Sequence, residues 1–172
     1  MAYFFLDISV FYAKIVLKRT KRGVDMIPLN PWEHHNAIKV LYAKCVEGVC
    51  EKYHITRIEL DILLFLANNP VFDTASDIVE IRYLSKSQVS AAIKRLEKNS
   101  CLEKQYAKDN RKTAHLMIGK AAKDIITDGR AAQEKFLAIM FDGISEEEIA
   151  AMRRCNTHML KNINRHLKEE TR

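Results

Sequence analysis

Three helix-starting signals follow one another between Thr56 and Gln88, and they leave this chain few ways to fold. Thr56-Arg-Ile-Glu59, Thr74-Ala-Ser-Asp77 and Ser85-Lys-Ser-Gln88 each place a hydroxyl three residues ahead of an acidic or amide side chain. In such a box the two side chains satisfy each other's backbone N–H groups, which the first turn of a helix otherwise leaves unpaired. The starts are therefore fixed, and the intervals allow only short helices with short turns. Behind each cap runs an apolar stripe: Leu60, Leu63, Leu64 and Leu66, then Ile78, Val79 and Ile81, then Val89, Ala92, Ile93 and Leu96. Helices this short are stable only when such stripes bury against one another. Asn68-Asn-Pro70 ends the first of them. After Lys98 a hairpin is predicted from Leu102 to Leu116, with its tip at Ala107-Lys-Asp-Asn-Arg-Lys112.

Longer helices flank this unit. Ile38, Leu41, Tyr42, Cys45, Val49 and Tyr53 recur at three- and four-residue spacing and predict a helix from Trp32 to about Tyr53. A second long helix is expected from Lys120 to about Phe141, broken by Gly143. Ser145-Glu-Glu-Glu148 then caps a final helix whose inward positions are Ile149, Met152, Asn156, Met159, Ile163 and His166. That 3-4-3-4-3 spacing is a heptad seam. Packing within the same chain is one reading. The other is a dimer interface built from Ile38, Tyr42 and Cys45 of the first helix and Ile149, Met152, Asn156, Met159 and Ile163 of the last. The expected fold is mainly α with a small β-wing: dimerisation helices over 30–53 and 120–167 flank a winged helix-turn-helix over 54–119.

Residues 1–29 stand apart as an extension and linker. Ala2 to Leu17 is largely apolar but is interrupted by Asp7 and Lys14, and it falls short of the ~20 residues that span a bilayer. A packing helix, a membrane-surface segment and a spurious extension with Met26 as an alternative start are all open readings. The first and third are favoured, and no membrane partner is expected.

Charge is concentrated where the helix-turn-helix and hairpin lie. From Arg82 to Lys123 eleven Lys or Arg face three acids, a net of +8, whereas the whole 172-residue chain carries +6. Such a footprint suits a polyanion. On a helical wheel of Ser85–Lys98, Val89, Ala92, Ile93 and Leu96 share one side. Ser87, Ala91, Lys94 and Lys98 lie opposite, flanked by Lys86, Gln88, Ser90 and Arg95. Small residues at 87, 90 and 91 admit a close backbone, Gln88 can pair with adenine, and Lys94 can reach guanine or phosphate. At the hairpin tip, Lys108, Asp109, Asn110, Arg111 and Lys112 supply an arginine for a narrow minor groove, with Asp109 holding the turn or pairing with Arg111. A solvated charged face is the bland alternative for both.

Leu84-Ser-Lys-Ser-Gln-Val-Ser-Ala-Ala-Ile-Lys-Arg-Leu-Glu-Lys98, followed by Asp109-Asn-Arg111, resembles the MarR family of bacterial winged-helix regulators over roughly residues 31 to 167. The resemblance implies a homodimer on a pseudo-palindromic operator in double-stranded DNA. It also implies a repressor more than an activator, a cytoplasmic location, and release by a small aromatic or phenolic effector. It carries Asp109 and Arg111 over as the wing pair. Two positions depart from the family's pattern. Ser100 stands where a glycine usually closes the reading helix, beside Asn99, which can itself take the left-handed cap. Gly119 stands where a threonine commonly ends the wing, and the spacing from Arg111 to it is about one residue long.

Other chemistry has thinner support. Cys45, Cys50, Cys101 and Cys155 form no CxxC pair and read as reduced, mostly buried thiols. Glu33-His34-His35, His158 and His166 lack the spacing of a ligand set, so no metal and no cofactor is expected. A redox- or metal-sensing regulator, or a winged helix that binds a protein or RNA, is the alternative. No phosphate loop, nucleophile elbow, HExxH or dinucleotide motif is present, and catalysis is not expected.

Overall fold

The computed structural model describes residues 31–107 and 110–170. The N-terminal extension and the tip residues Lys108 and Asp109 lie outside the described residues. Helices α1 (Pro31–Tyr53), α2 (Arg57–Asn68), α3 (Ala75–Arg82) and α4 (Lys86–Lys98) precede strands β1 (Leu102–Ala107) and β2 (Asn110–Ile118). A short 3-10 turn, Lys120–Ala122, leads into α5 (Lys123–Met140), and α6 (Glu146–Glu170) ends the described chain. The chain divides into two compact units, one ending at Phe136 and one beginning at Leu137.

All three expected capping boxes form. Thr56, Thr74 and Ser85 each accept from the backbone N–H three residues on, and Glu59, Asp77 and Gln88 return the contact. Ser145 and Glu148 make a fourth at the start of α6. The core of the first unit is α2: Leu60, Ile62, Leu63 and Leu64 are at most 1% exposed, as is Ile78 of α3. Val89, Ala92, Ile93 and Leu96 of α4 are buried as the wheel required. The first half of α5 closes this core through Ile125, Ile126, Ala132 and Phe136. Gly129 permits the approach, since a Cβ there would stand 3.0 Å from side-chain carbons of Leu60 and Leu64.

The hairpin is antiparallel, with Leu102 opposite Ile118 and Lys104 opposite Leu116. Leu102 and Leu116 are buried and root it in the core. A second tie comes from the α2–α3 loop, where Leu116 N–H donates to the Asp73 carbonyl at 2.7 Å and His115 Nδ1 lies 2.8 Å from Asp73 Oδ1. Towards the tip the register jumps, because Tyr106 faces Ala114 while Ala107 faces Asn110. Arg111, Lys112 and Thr113 therefore have no counterparts on β1, and the strand bulges there.

Three helices end on a left-handed residue that is not glycine: His54, Tyr83 and Ser100, with φ of 52°, 51° and 56°. After α4 it is Ser100 that turns, while Asn99 keeps φ at −92°. The reason is a Schellman closure. Ser100 N–H donates to the Glu97 carbonyl and Cys101 N–H to that of Leu96, which requires the residue after the cap to be left-handed. Gly119 passes close to this turn and donates its N–H to the Cys101 carbonyl at 2.9 Å. A Cβ at 119 would overlap the Ser100 carbonyl oxygen. The thiols also differ from expectation: Cys101 is buried, Cys45 and Cys50 are half-buried, and Cys155 is exposed because it lies off the apolar face of α6. No helix among the described residues is long and apolar enough to cross a membrane.

Gly119→Ala should therefore lower stability by about 1–3 kcal/mol through overpacking against backbone. Ser100→Gly should leave it unchanged or raise it by up to about 1 kcal/mol, since glycine adopts the left-handed cap freely. Urea denaturation of the two variants separates these outcomes.

Candidate nucleic-acid interface

The reading face begins with what α4 does not bury. Lys86, Ser87, Gln88, Ser90, Ala91, Lys94, Arg95 and Lys98 are all exposed, on the side away from the core. Two of them already have intrachain duties. Gln88 Oε1 accepts from Ser85 N–H at 3.2 Å and from Ser85 Oγ at 2.9 Å, so a two-point contact to adenine would require it to leave the cap. Arg95 Nε lies 2.8 Å from Glu59 Oε1, and the Glu59 side chain is 2% exposed. This ion pair lacks a well-aligned hydrogen bond, because Oε1 has no directed donor. Ser87, Ser90, Ala91, Lys94 and Lys98 thus remain as a compact patch of small and cationic side chains.

The face is held by a second, half-buried acid that the sequence did not single out. Asp61 on α2 accepts from Tyr42 Oη at 3.0 Å and lies 3.5 Å from Arg82 Nη2 at the end of α3. Arg57 stands 3.8 Å from the same carboxylate and 4.9 Å from the centre of the Tyr42 ring. Burial pushes the Asp61 carboxyl above its ordinary range, and the arginines and Tyr42 only partly oppose it. The Tyr42 phenol is raised well above its usual value by burial and by Asp61. Tyr42 also packs edge-on against Phe136 at 5.4 Å. It therefore serves the core of its own chain, whereas Ile38 and Cys45 keep partly exposed surface.

The wing root is oriented by Lys104, whose Nζ lies 2.7 Å from Glu97 Oε2 at the last turn of α4. Asn110, Arg111 and Lys112 belong to β2. The expected Asp109–Arg111 pair falls outside the described residues. On α6, Ile149, Asn156 and Met159 are half-buried, while Met152 and Ile163 are 37% and 44% exposed. Burial raises the thiol pKa of Cys50, and of Cys101, which disfavours a reactive thiolate. Among the described residues, no three His, Cys, Asp or Glu side chains gather as a metal site.

Residues 54–112, from the loop before α2 to the start of β2, match the sequence model of the MarR family. No curated protein matches the sequence. Solved structures do. One is a MarR family transcriptional regulator from Listeria monocytogenes in complex with 26-mer DNA, with a TM-score of 0.68 at 19% identity over 80% of this chain and 90% of that one. Another is the transcriptional regulator SlyA, also at 0.68, with 18% identity over 81% and 98%. A third, a MarR family regulator from Silicibacter pomeroyi, gives 0.63 at 16% identity over 74% and 86%. At these identities the likeness is one of fold.

Arg95→Ala should cost about 1–3 kcal/mol, because it strands the buried Glu59 carboxylate, whereas Lys94→Ala should stay within about 0.5 kcal/mol of the parent. Chemical denaturation of both variants checks this. Asp61 yields a pH effect of definite sign. Its raised pKa means the folded chain keeps that proton to higher pH than the unfolded chain, so this group's contribution falls as pH climbs from the ordinary carboxylate range. The stability difference between the parent and Asp61→Asn should shift against the parent between about pH 4 and 7. Urea midpoints across that range would show a flat difference if Asp61 were normal.

Proposed function

We propose that the chain is a transcriptional regulator of the MarR family, whose sequence model residues 54–112 match, and that it acts as a homodimeric repressor on a pseudo-palindromic site in double-stranded DNA. The observation that carries this reading is the face of α4: small and cationic side chains on a rigid helix whose opposite side is wholly buried. Two such helices enter successive major grooves about 34–36 Å apart when their separation is fixed by dimerisation. Ser87, Ser90 and Ala91 let the helix approach base edges, Lys94 and Lys98 reach guanine or phosphate, and Lys86 neutralises phosphate at its start. Arg95 and Gln88 act mainly to hold the helix. The tip from Lys108 to Lys112 brings Arg111 to the adjoining minor groove.

The apolar positions left bare on α6 favour dimerisation through Met152, Ile163 and their heptad neighbours, together with Ile38 and Cys45 of α1. For the effector, a cavity of about 350 Å³ between α1 and the start of α2 is lined by Val40, Ala43, Lys44, Val46, Glu47, Cys50 and Arg57. Apolar walls with cations at hand suit an aromatic carboxylate or a phenol. Occupancy would favour one placement of the reading helices over another and so release the operator. Double-stranded RNA is disfavoured as a target, since the deep, narrow groove of an A-form duplex does not admit a helix.

Selection from a random duplex pool should yield a sequence bound at least about a thousandfold more tightly than mixed-sequence DNA at physiological salt. Equal affinities would defeat the regulator reading. On the selected duplex Arg111→Ala should weaken binding about tenfold and lower the salt slope by about one. Sedimentation equilibrium should show a dimer that Ile163→Asp converts to monomer. A dimer that survives the change would move the interface elsewhere.

A further inference from the structure

Tyr83 closes α3 in the left-handed conformation with its side chain turned out to solvent. It lies between α3 and α4 with φ 51° and ψ 35°, a region that a bulky side chain rarely occupies and that glycine occupies freely. Its side chain is 77% exposed, the most of any aromatic residue described. Among the described residues none makes a hydrogen bond, ion pair or ring contact with it. Both neighbours are fixed inward: Arg82 is paired with Asp61, and Leu84 packs against the core. The phenol is therefore presented outward from a rigid turn, two residues before the Ser85 cap of α4.

We propose that Tyr83 is a DNA-backbone contact, its hydroxyl donating a hydrogen bond to a phosphate oxygen on the strand that borders the groove α4 enters. This rests on the reading of α4 as the groove-entering helix. In that docking the first residues of the helix reach base edges, so the turn ahead of them passes over the bordering strand. Tyrosine serves such contacts well: it is neutral, rigid once its backbone is fixed, and able to donate to a phosphate. The contact sets how deeply and at what register the helix sits, and it does so on any sequence. Because no charge is involved, it releases no counterion.

The test is fluorescence anisotropy on a labelled 30-base-pair mixed-sequence duplex, with thermal melting of the same proteins. Tyr83→Phe should weaken binding roughly tenfold for two copies, with the melting temperature and the salt slope unchanged. Tyr83→Gly should bind as weakly as Tyr83→Phe yet melt at or above the parent, since it relieves the left-handed turn. Parent-like binding by either variant overturns the proposal. So does a changed salt slope in Tyr83→Phe, which would signal a displaced helix, or a lower melting temperature in Tyr83→Gly, which would give the ring a folding role. If the parent itself fails to bind duplex, the DNA reading and this proposal fall together. If the parent binds and the variants match it, only this proposal falls.

Discussion

The contact between Glu59 and Arg95 joins the two halves of the winged helix. Glu59 is at once the third residue of a capping box, where one oxygen accepts from Thr56 N–H at 2.6 Å, and the buried counter-charge for an arginine on the reading helix. One carboxylate therefore sets where α2 begins and holds α4 against it. A buried acid is tolerated only while its oxygens are occupied, so either partner moving away is strongly opposed. Asp61, two residues further on the same helix, pairs likewise with Arg82 and so holds the turn into α4. The exposed face of α4 is rigid because two acids on α2, one buried and one half-buried, each hold one end of the segment that carries it.

This arrangement separates the cationic residues on the exposed side into those held by intrachain pairs and those left free to make contacts. Arg95 and Lys94 are adjacent and alike in composition, yet one is tethered to a carboxylate and the other is not. The tether leaves the guanidinium half-exposed, which keeps its charge within reach of a polyanion without making it free to choose among bases. Positive charge on this face thus separates into a fixed part that orients the helix and a free part that is available, on the proposed reading, for contacts to DNA.

Much of this was legible in the sequence, and the reason is locality. Capping boxes and the burial of Val89, Ala92, Ile93 and Leu96 depend on residues within a turn or two of each other, so spacing alone revealed them. Spacing leaves both Asn99 and Ser100 able to take the left-handed turn, and the Schellman closure against Leu96 and Glu97 gives it to Ser100. The contacts of Tyr42 with Asp61 and Phe136, 19 and 94 positions away, leave no trace in the spacing of the first helix. The Asp73–His115 tie joins residues 42 positions apart and leaves no periodic trace. The role of Gln88 was legible twice over, as cap and as reader, and only the geometry shows that its oxygen is already engaged.

The bulge in the wing has a consequence beyond its own geometry. Between Leu102 and Tyr106 each residue is committed to a cross-strand partner and Leu102 is anchored in the core, so one added or lost residue would turn the strand inside out. Past Tyr106 the register is reset, and Arg111 to Thr113 answer to no residue across the hairpin. Insertions or deletions there alter how far the ribbon reaches while leaving the buried root untouched. Wing length is in this way uncoupled from folding, so on the proposed reading the reach of the ribbon toward DNA can change without disturbing either the buried root or the packing of α4.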